Sequence, residues 1–283
     1  MPASRPELAA LEHYLAEAAV PIFYDLNGDQ PEARGTGALL DLGDRLLLVT
    51  AAHVMESRDI MKFSSPWNRK TGEGATWGDA GLLLPRSSDT HDVAIVELQF
   101  PATVEAFRKN YRCLTLDRIG MPTLGATHVL AGYPAELTKA TADRVDQSPF
   151  AYFSAMLPEL PPEAKNLNPT WDCFFALESE GDMLSGDPCD TPDLRGVSGC
   201  VVWELSACDG PLWTPQTALK AIGVQFSAKR DAWFRASNWL AVVPLIAHFD
   251  RSAAARLAVS LVGVECASEL LREWGHELEM YDL

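Results

Sequence analysis

The sequence predicts an all-β barrel architecture with short helical extensions, on three observations. Short apolar runs rich in Val, Ile, Leu and Phe recur from Val20 to Val243. Glycine and proline, 19 of each, punctuate the chain between those runs. Helical spacing of apolar residues is confined to the two ends, apart from a short stretch at 101–112. Short runs bounded by turn residues read as strands, and many strands with few helices read as a sandwich or a barrel.

Bulk properties narrow the class. With 283 residues there is material for a large core, and β-barrels of this size often form one unit. The net charge of −16, from 23 basic and 39 acidic side chains, argues against nucleic acid and against an anionic membrane surface as partners. No stretch approaches the roughly 18 apolar residues of a membrane span, and none follows Met1-Pro2-Ala3-Ser4 as in a signal peptide. Cys113, Cys173, Cys189, Cys200, Cys208 and Cys266 lack Cys-x-x-Cys spacing and histidine neighbours, so neither a metal site nor a disulfide framework is expected. A reduced, cytoplasmic protein without metal or cofactor is the expectation.

Taken in order, Leu8, Leu11, Leu15 and Ala18 behind Pro6 predict an amphipathic helix, and Val20 to Tyr24 a strand turning at Asn27-Gly28-Asp29. Gly35 to Leu42 and Arg45 to Thr50 are two strands joined by Gly43-Asp44, a hairpin signal. The second runs into Ala51-Ala52-His53-Val54, where small residues let a short helical turn start against the sheet. From Ser57 to Asp79 a loop or irregular hairpin is expected, with Trp67 and Trp77, then a strand at Gly81 to Leu84. Asp92 stands at the mouth of the apolar run Val93 to Leu98, where burial is costly unless something pairs it. Thr127 to Gly132 reads as a strand ended by Tyr133-Pro134. Phe150 to Met156 and Cys173 to Glu178 read as strands around a proline-rich loop, and 179–195 as a loop dense in Gly, Asp and Pro. Further strands are expected after Ser198 to Glu204, over Lys220 to Ser227 and over Trp239 to Pro244, with helices at Leu245 to Leu261 and Ser268 to Leu278.

One stretch carries chemistry. In Gly196-Val197-Ser198-Gly199 a serine sits between glycines, a turn that lifts a hydroxyl clear and lets backbone N–H groups converge on one spot, as an acyl-transfer nucleophile needs. Together with His53 and Asp92 it completes a Ser, His and Asp set. Gly35-Thr36-Gly37, Thr50-Ala51-Ala52-His53, His91-Asp92-Val93-Ala94-Ile95-Val96, Gly132-Tyr133-Pro134 and Gly196-Val197-Ser198-Gly199 together resemble the chymotrypsin/trypsin-like serine peptidases, in particular bacterial members without disulfides, over roughly residues 20–247.

The resemblance implies two six-stranded barrels, one over 20–124 holding His53 and Asp92 and one over 125–247 holding Ser198, with helical extensions at 1–19 and 248–283. It implies a serine endopeptidase: Ser198 as nucleophile, His53 as base then acid, Asp92 fixing the imidazole, and the N–H groups of Gly196 and Ser198 as oxyanion hole, one such donor being worth about 2.7–4 kcal/mol in such enzymes. The strand holding Gly223, Val224, Gln225 and Phe226 would run beside the substrate, and Pro188 to Leu194 would floor its pocket. Asp187, Asp190 and Asp193 there either select a basic side chain or solvate the loop. The implied partner is a protein or peptide substrate, with room for a regulatory protein.

Departures leave an alternative open. Val197 stands where secreted relatives carry the aspartate that orders the oxyanion loop, Val54 replaces a half-cystine, and Cys200-Val201 replaces Gly-Pro after the serine. A pseudo-peptidase that binds a partner through the former substrate groove is therefore the second reading. The tail from Glu265, with Leu270, Leu271, Trp274 and Leu278 at helical spacing, is expected to pack on its own body or to dock a partner.

Overall fold

The computed structural model describes residues 6–25, 31–56, 59–66, 74–77, 86–88, 91–140, 145–182, 188–206 and 214–281. The turn expected at 27–29, Trp67, the strand at 81–84, Asp187 and Cys208 lie outside them. Helix α1 (Pro6–Ala18) precedes a seven-stranded antiparallel sheet. Its strands are β1 (Val20–Asp25), β2 (Pro31–Asp41), β3 (Leu46–Thr50), β4 (Phe63–Pro66), β5 (Gly74–Thr76), β6 (Arg86–Ser88) and β7 (Val93–Leu98), in the order β5-β4-β1-β2-β3-β7-β6. A short helix α2 (Ala52–Met55) follows β3, and α3 (Pro101–Asn110) follows β7.

The second half forms a six-stranded antiparallel sheet from β8 (Thr127–Gly132), β11 (Phe150–Ala155), β12 (Asp172–Ala176), β15 (Val201–Leu205), β16 (Leu219–Lys229) and β17 (Trp233–Asn238), ordered β11-β8-β15-β16-β17-β12. Its outer strands meet at one bridge, Met156 with Phe175, and the Leu157 N–H donates to the Phe174 carbonyl at 2.8 Å. Two small hairpins are formed by β9 (Thr138–Ala140) with β10 (Val145–Gln147) and by β13 (Glu180–Asp182) with β14 (Pro188–Asp190), the second within the stretch 179–195 expected as a loop. Short helices α4 (Pro215–Ala218) and α5 (Val243–Ala247) and the long α6 (Arg251–Tyr281), broken at Gly263, complete the chain.

The apolar runs have a packing explanation. Side chains alternate faces along a strand, so a run apolar at every position must be buried on both sides. In β3, Leu46 and Leu48 face a cluster inside the first sheet with Ile22, Phe63 and Trp77, while Leu47 and Val49 face a central cluster shared with the second sheet. In β15, Val202 points inward beside Leu130, Ile222 and Phe234, whereas Val201 and Trp203 join the same central cluster. This shared layer also takes Leu11 and Leu15 of α1 and Ala253, Ala254, Leu257 and Ala258 of α6.

Two local readings change. Where an irregular hairpin was one of two expectations, β4 and β5 form it and add to the first sheet, anchored by Phe63 stacked on Trp77 at 4.8 Å. The strand expected over Trp239 to Pro244 is instead a 3-10 turn, Trp239–Ala241, leading into α5, and the last strand is β17 just upstream. The run is buried all round, so its apolar pattern did not distinguish strand from helix. The Asn238 side chain decides the outcome locally by accepting the Leu240 N–H at 3.0 Å. Among the described residues no helix is long and apolar enough to cross a membrane.

Candidate active site

Strands β3 and β7 pair in register, Thr50 opposite Ala94, which brings the start of α2 onto the residue that precedes β7. His53 and Asp92, 39 positions apart in sequence, thereby meet. The Ala52 N–H donates to the Asp92 carbonyl at 3.1 Å and the His53 N–H to Asp92 Oδ1 at 2.8 Å, while His53 Nδ1 lies 2.8 Å from Asp92 Oδ2. A carboxylate oxygen accepts, so Nδ1 is the ring nitrogen placed to donate to it, and Nε2 is the one left for other chemistry. Asp92 has φ +49°, a left-handed conformation that Asp tolerates better than bulky residues, and this aims both oxygens back at His53.

Behind Asp92 the second half of the chain closes in. The Ser237 hydroxyl of β17 donates to the His91 carbonyl at 2.5 Å. The Trp171 ring lies 5.1 Å from the His91 ring, and Trp274 of α6 lies 6.0 Å from Trp171.

Ser198 sits in two consecutive tight turns. The Val197 N–H donates to the Leu194 carbonyl and the Cys200 N–H to the Val197 carbonyl, both at 3.0 Å. Gly196 (φ +86°) and Gly199 (φ +91°) are the third residues of those turns, where positive φ is required. The Ser198–Gly199 peptide is held at both ends: its carbonyl accepts the Thr36 N–H at 2.8 Å and its N–H donates to the Gln225 carbonyl at 2.7 Å. A side chain at Gly199 would begin 2.0 Å from the Thr50 hydroxyl and 2.7 Å from the Ala51 nitrogen, so the serine turn abuts the β3 end that carries His53. The Arg195 carbonyl accepts the Ala135 N–H at 2.7 Å. In a trans peptide the N–H points opposite to the carbonyl, so the Gly196 N–H faces away from Ala135.

Val197 is fully buried in the second sheet's apolar cluster, so apolar packing holds the loop at that position. Cys200 is also fully buried, and burial pushes its thiol far up, which removes it as a nucleophile.

Ser198 opens on a cavity of about 440 Å³. Of the segment Pro188 to Leu194 expected to floor a pocket, Thr191, Pro192, Asp193 and Leu194 line it and Asp190 does not. Gln225 and Phe226 lie in its wall with Ser227 and Ala228; Gly223 and Val224 lie further back, paired with both β15 and β17. A bulge leaves Phe226 as the extra residue, its ring 4.7 Å from the guanidinium of Arg235, which pairs with Asp172 at 2.5 Å. Asp193 is committed to its neighbour: the Arg195 backbone N–H first, then its guanidinium at 2.7 Å, hold the carboxyl below its ordinary value.

Sequence reasoning missed Thr36. Its hydroxyl donates to the Gly196 carbonyl at 2.8 Å and accepts the Tyr133 N–H at 3.1 Å, while its carbonyl accepts the Thr50 hydroxyl at 2.8 Å. The flanking glycines Gly35 and Gly37 were the signal, since they mark a close backbone approach.

No family profile and no curated protein matches this sequence. Among solved structures, the chain is similar to one described for the coupled folding and binding of the intrinsically disordered Sesbania mosaic virus VPg protein. That likeness has 15% identity and a TM-score of 0.42, over 80% of this chain and 95% of that one. It is also similar to the secreted serine protease VesC from Vibrio cholerae, at 13% identity and a TM-score of 0.44, over 80% of this chain and 44% of that protein.

Proposed function

We propose that this chain is a serine endopeptidase that hydrolyses a peptide bond in a protein target, with Ser198 as nucleophile, His53 as proton carrier and Asp92 as its orienting partner. The observation that carries the reading is the His53–Asp92 pair at the β3 end against which the Ser198 turn is packed. Two barrels, over 20–124 and 125–247, are part of the same reading and would bring one half of the site from each.

In the reaction, Ser198 Oγ bonds to the carbonyl carbon as His53 Nε2 takes its proton, and the carbonyl π electrons move to oxygen. The Gly196 and Ser198 N–H groups receive that charge, and the Arg195–Ala135 hydrogen bond supports a Gly196 N–H oriented before substrate arrives. Collapse breaks the C–N bond, the amine leaves with the proton from His53, and water repeats the sequence to free the acid and restore the serine. Asp92 stays ionised and stabilises the imidazolium.

Intact-mass analysis after treatment with a fluorophosphonate tests the assignment. A single adduct on the native chain that is absent from Ser198→Ala is the expected result. No adduct on the native chain would overturn it and favour a partner-binding role for the groove.

A further inference from the structure

We propose that the cavity beside Ser198 selects an uncharged carboxamide side chain, glutamine or asparagine, before the scissile bond, and that Gln225 is the residue that reads it. The inference deepens the endopeptidase reading and rests on it.

Three observations lead there. First, among the described residues that line the cavity the charges cancel, Glu178 and Asp193 against Arg195 and Arg230, and Asp193 and Arg195 are already joined at 2.7 Å. A basic side chain would enter with Asp193 engaged elsewhere, and an acidic one would meet Arg195 engaged elsewhere. Second, the buried lining is apolar or neutral, with Leu177, Leu194 and Thr191 each less than a tenth exposed. A charge left there without a partner is costly. Third, Gln225 lines the cavity at 1% exposure, and among the described residues its buried Oε1 meets no hydrogen-bond partner. Buried polar atoms are ordinarily paired, so an orphaned one in the wall of a cavity marks a missing partner.

The chemistry of that partner follows from the carboxamide. Oε1 calls for a donor, and half a turn of the terminal amide offers the NH₂ to an acceptor instead. A second carboxamide satisfies either arrangement without bringing in a charge, whereas leucine satisfies neither. The backbone of Gln225 is fixed by its bonds to Gly199 and Cys200, so its side chain departs from a rigid point beside the nucleophile.

The test compares the rates at which Ser198 is modified by peptidyl phosphonates that differ only in the side chain next to phosphorus: glutamine, glutamate, arginine or leucine. A fluorophosphonate with no side chain runs alongside. The glutamine probe should react about tenfold faster than the leucine probe, the worth of one net hydrogen bond, and faster than either charged probe. In Gln225→Leu the glutamine-to-leucine ratio should fall to about one. Equal rates, or a faster arginine, glutamate or leucine probe on a native chain that still takes the fluorophosphonate, would overturn the specificity and leave the hydrolase reading standing. Failure of the fluorophosphonate itself would overturn both. The ranking on the native chain decides the matter even where the variant does not fold.

Discussion

At the scale of single residues, the site depends on hydrogen bonds that sequence separation hides. Asp92 makes two bonds to His53, one to the ring and one to the backbone, so it fixes the orientation of the imidazole at both ends. Asp92→Asn keeps the shape but presents a donor to Nδ1, which favours the wrong tautomer, and fluorophosphonate labelling should slow by about four orders of magnitude with the melting temperature little changed. Equal labelling rates would remove Asp92 from the chemistry. Thr36 makes a different prediction. Thr36→Val is near-isosteric but strips the Gly196 carbonyl of its donor and the Tyr133 N–H of its acceptor, both in the interior. Each buried group left unpaired costs about 1–3 kcal/mol, so urea unfolding should report a loss of about 2 kcal/mol or more. A neutral change would mean that the serine turn does not need this clamp. Ser198, His53 and Asp92 stood out in the sequence because acyl-transfer chemistry demands those residue types, and the structure brings His53 and Asp92 into hydrogen-bonding contact. Thr36 was not, because a threonine's partners 97 and 160 positions away leave no local trace.

At the scale of elements, alternation along a strand explains most of what the sequence disclosed and some of what it hid. Val93 to Leu98 was readable as a strand because both of its faces are buried, Val93 and Ile95 toward the central layer and Ala94 and Val96 toward the first sheet. The same all-round burial made Trp239 to Pro244 ambiguous, and there the cap on Asn238 settled the matter in favour of helix. The C-terminal helix packs on its own body through the side chains described for it, Leu278 lying outside them. Ala267 and Trp274 are buried in the central layer, and Leu270 and Leu271 pack against it. Trp274 also leans on Trp171, which leans on His91 next to Asp92, so α6 backs the His53–Asp92 pair from behind. Truncation after Gly263 should therefore lower the melting temperature, the loss of one large buried aromatic alone costing about 3–5 kcal/mol, and should slow labelling of Ser198. A truncated chain that melts and labels as the full one does would show that the brace is dispensable.

At the scale of the whole molecule, two opposing charge effects meet on acidification. With a net charge of −16 the folded chain repels itself, and protonating surface carboxylates relieves that repulsion. Against this stands His128 in β8, fully buried between the Phe175 ring at 4.9 Å and Glu204, whose carboxylate lies 3.5 Å away and already accepts the Thr123 N–H at 2.7 Å. Burial holds the imidazole below its ordinary 6.5, and the nearby carboxylate only partly offsets it. The unfolded chain therefore binds this proton more readily than the folded one, so stability is present in full above about pH 6.5 and is lost as pH falls from there toward the depressed folded value. The histidine acts before the carboxylates, because most surface acids titrate near or below about pH 4.3. Urea midpoints measured from neutral pH downward should fall first through the histidine range, and His128→Phe should flatten that first decline while leaving the behaviour at lower pH in place. A native curve that rises throughout the histidine range would mean that relief of the surface charge outweighs the buried imidazole from the start.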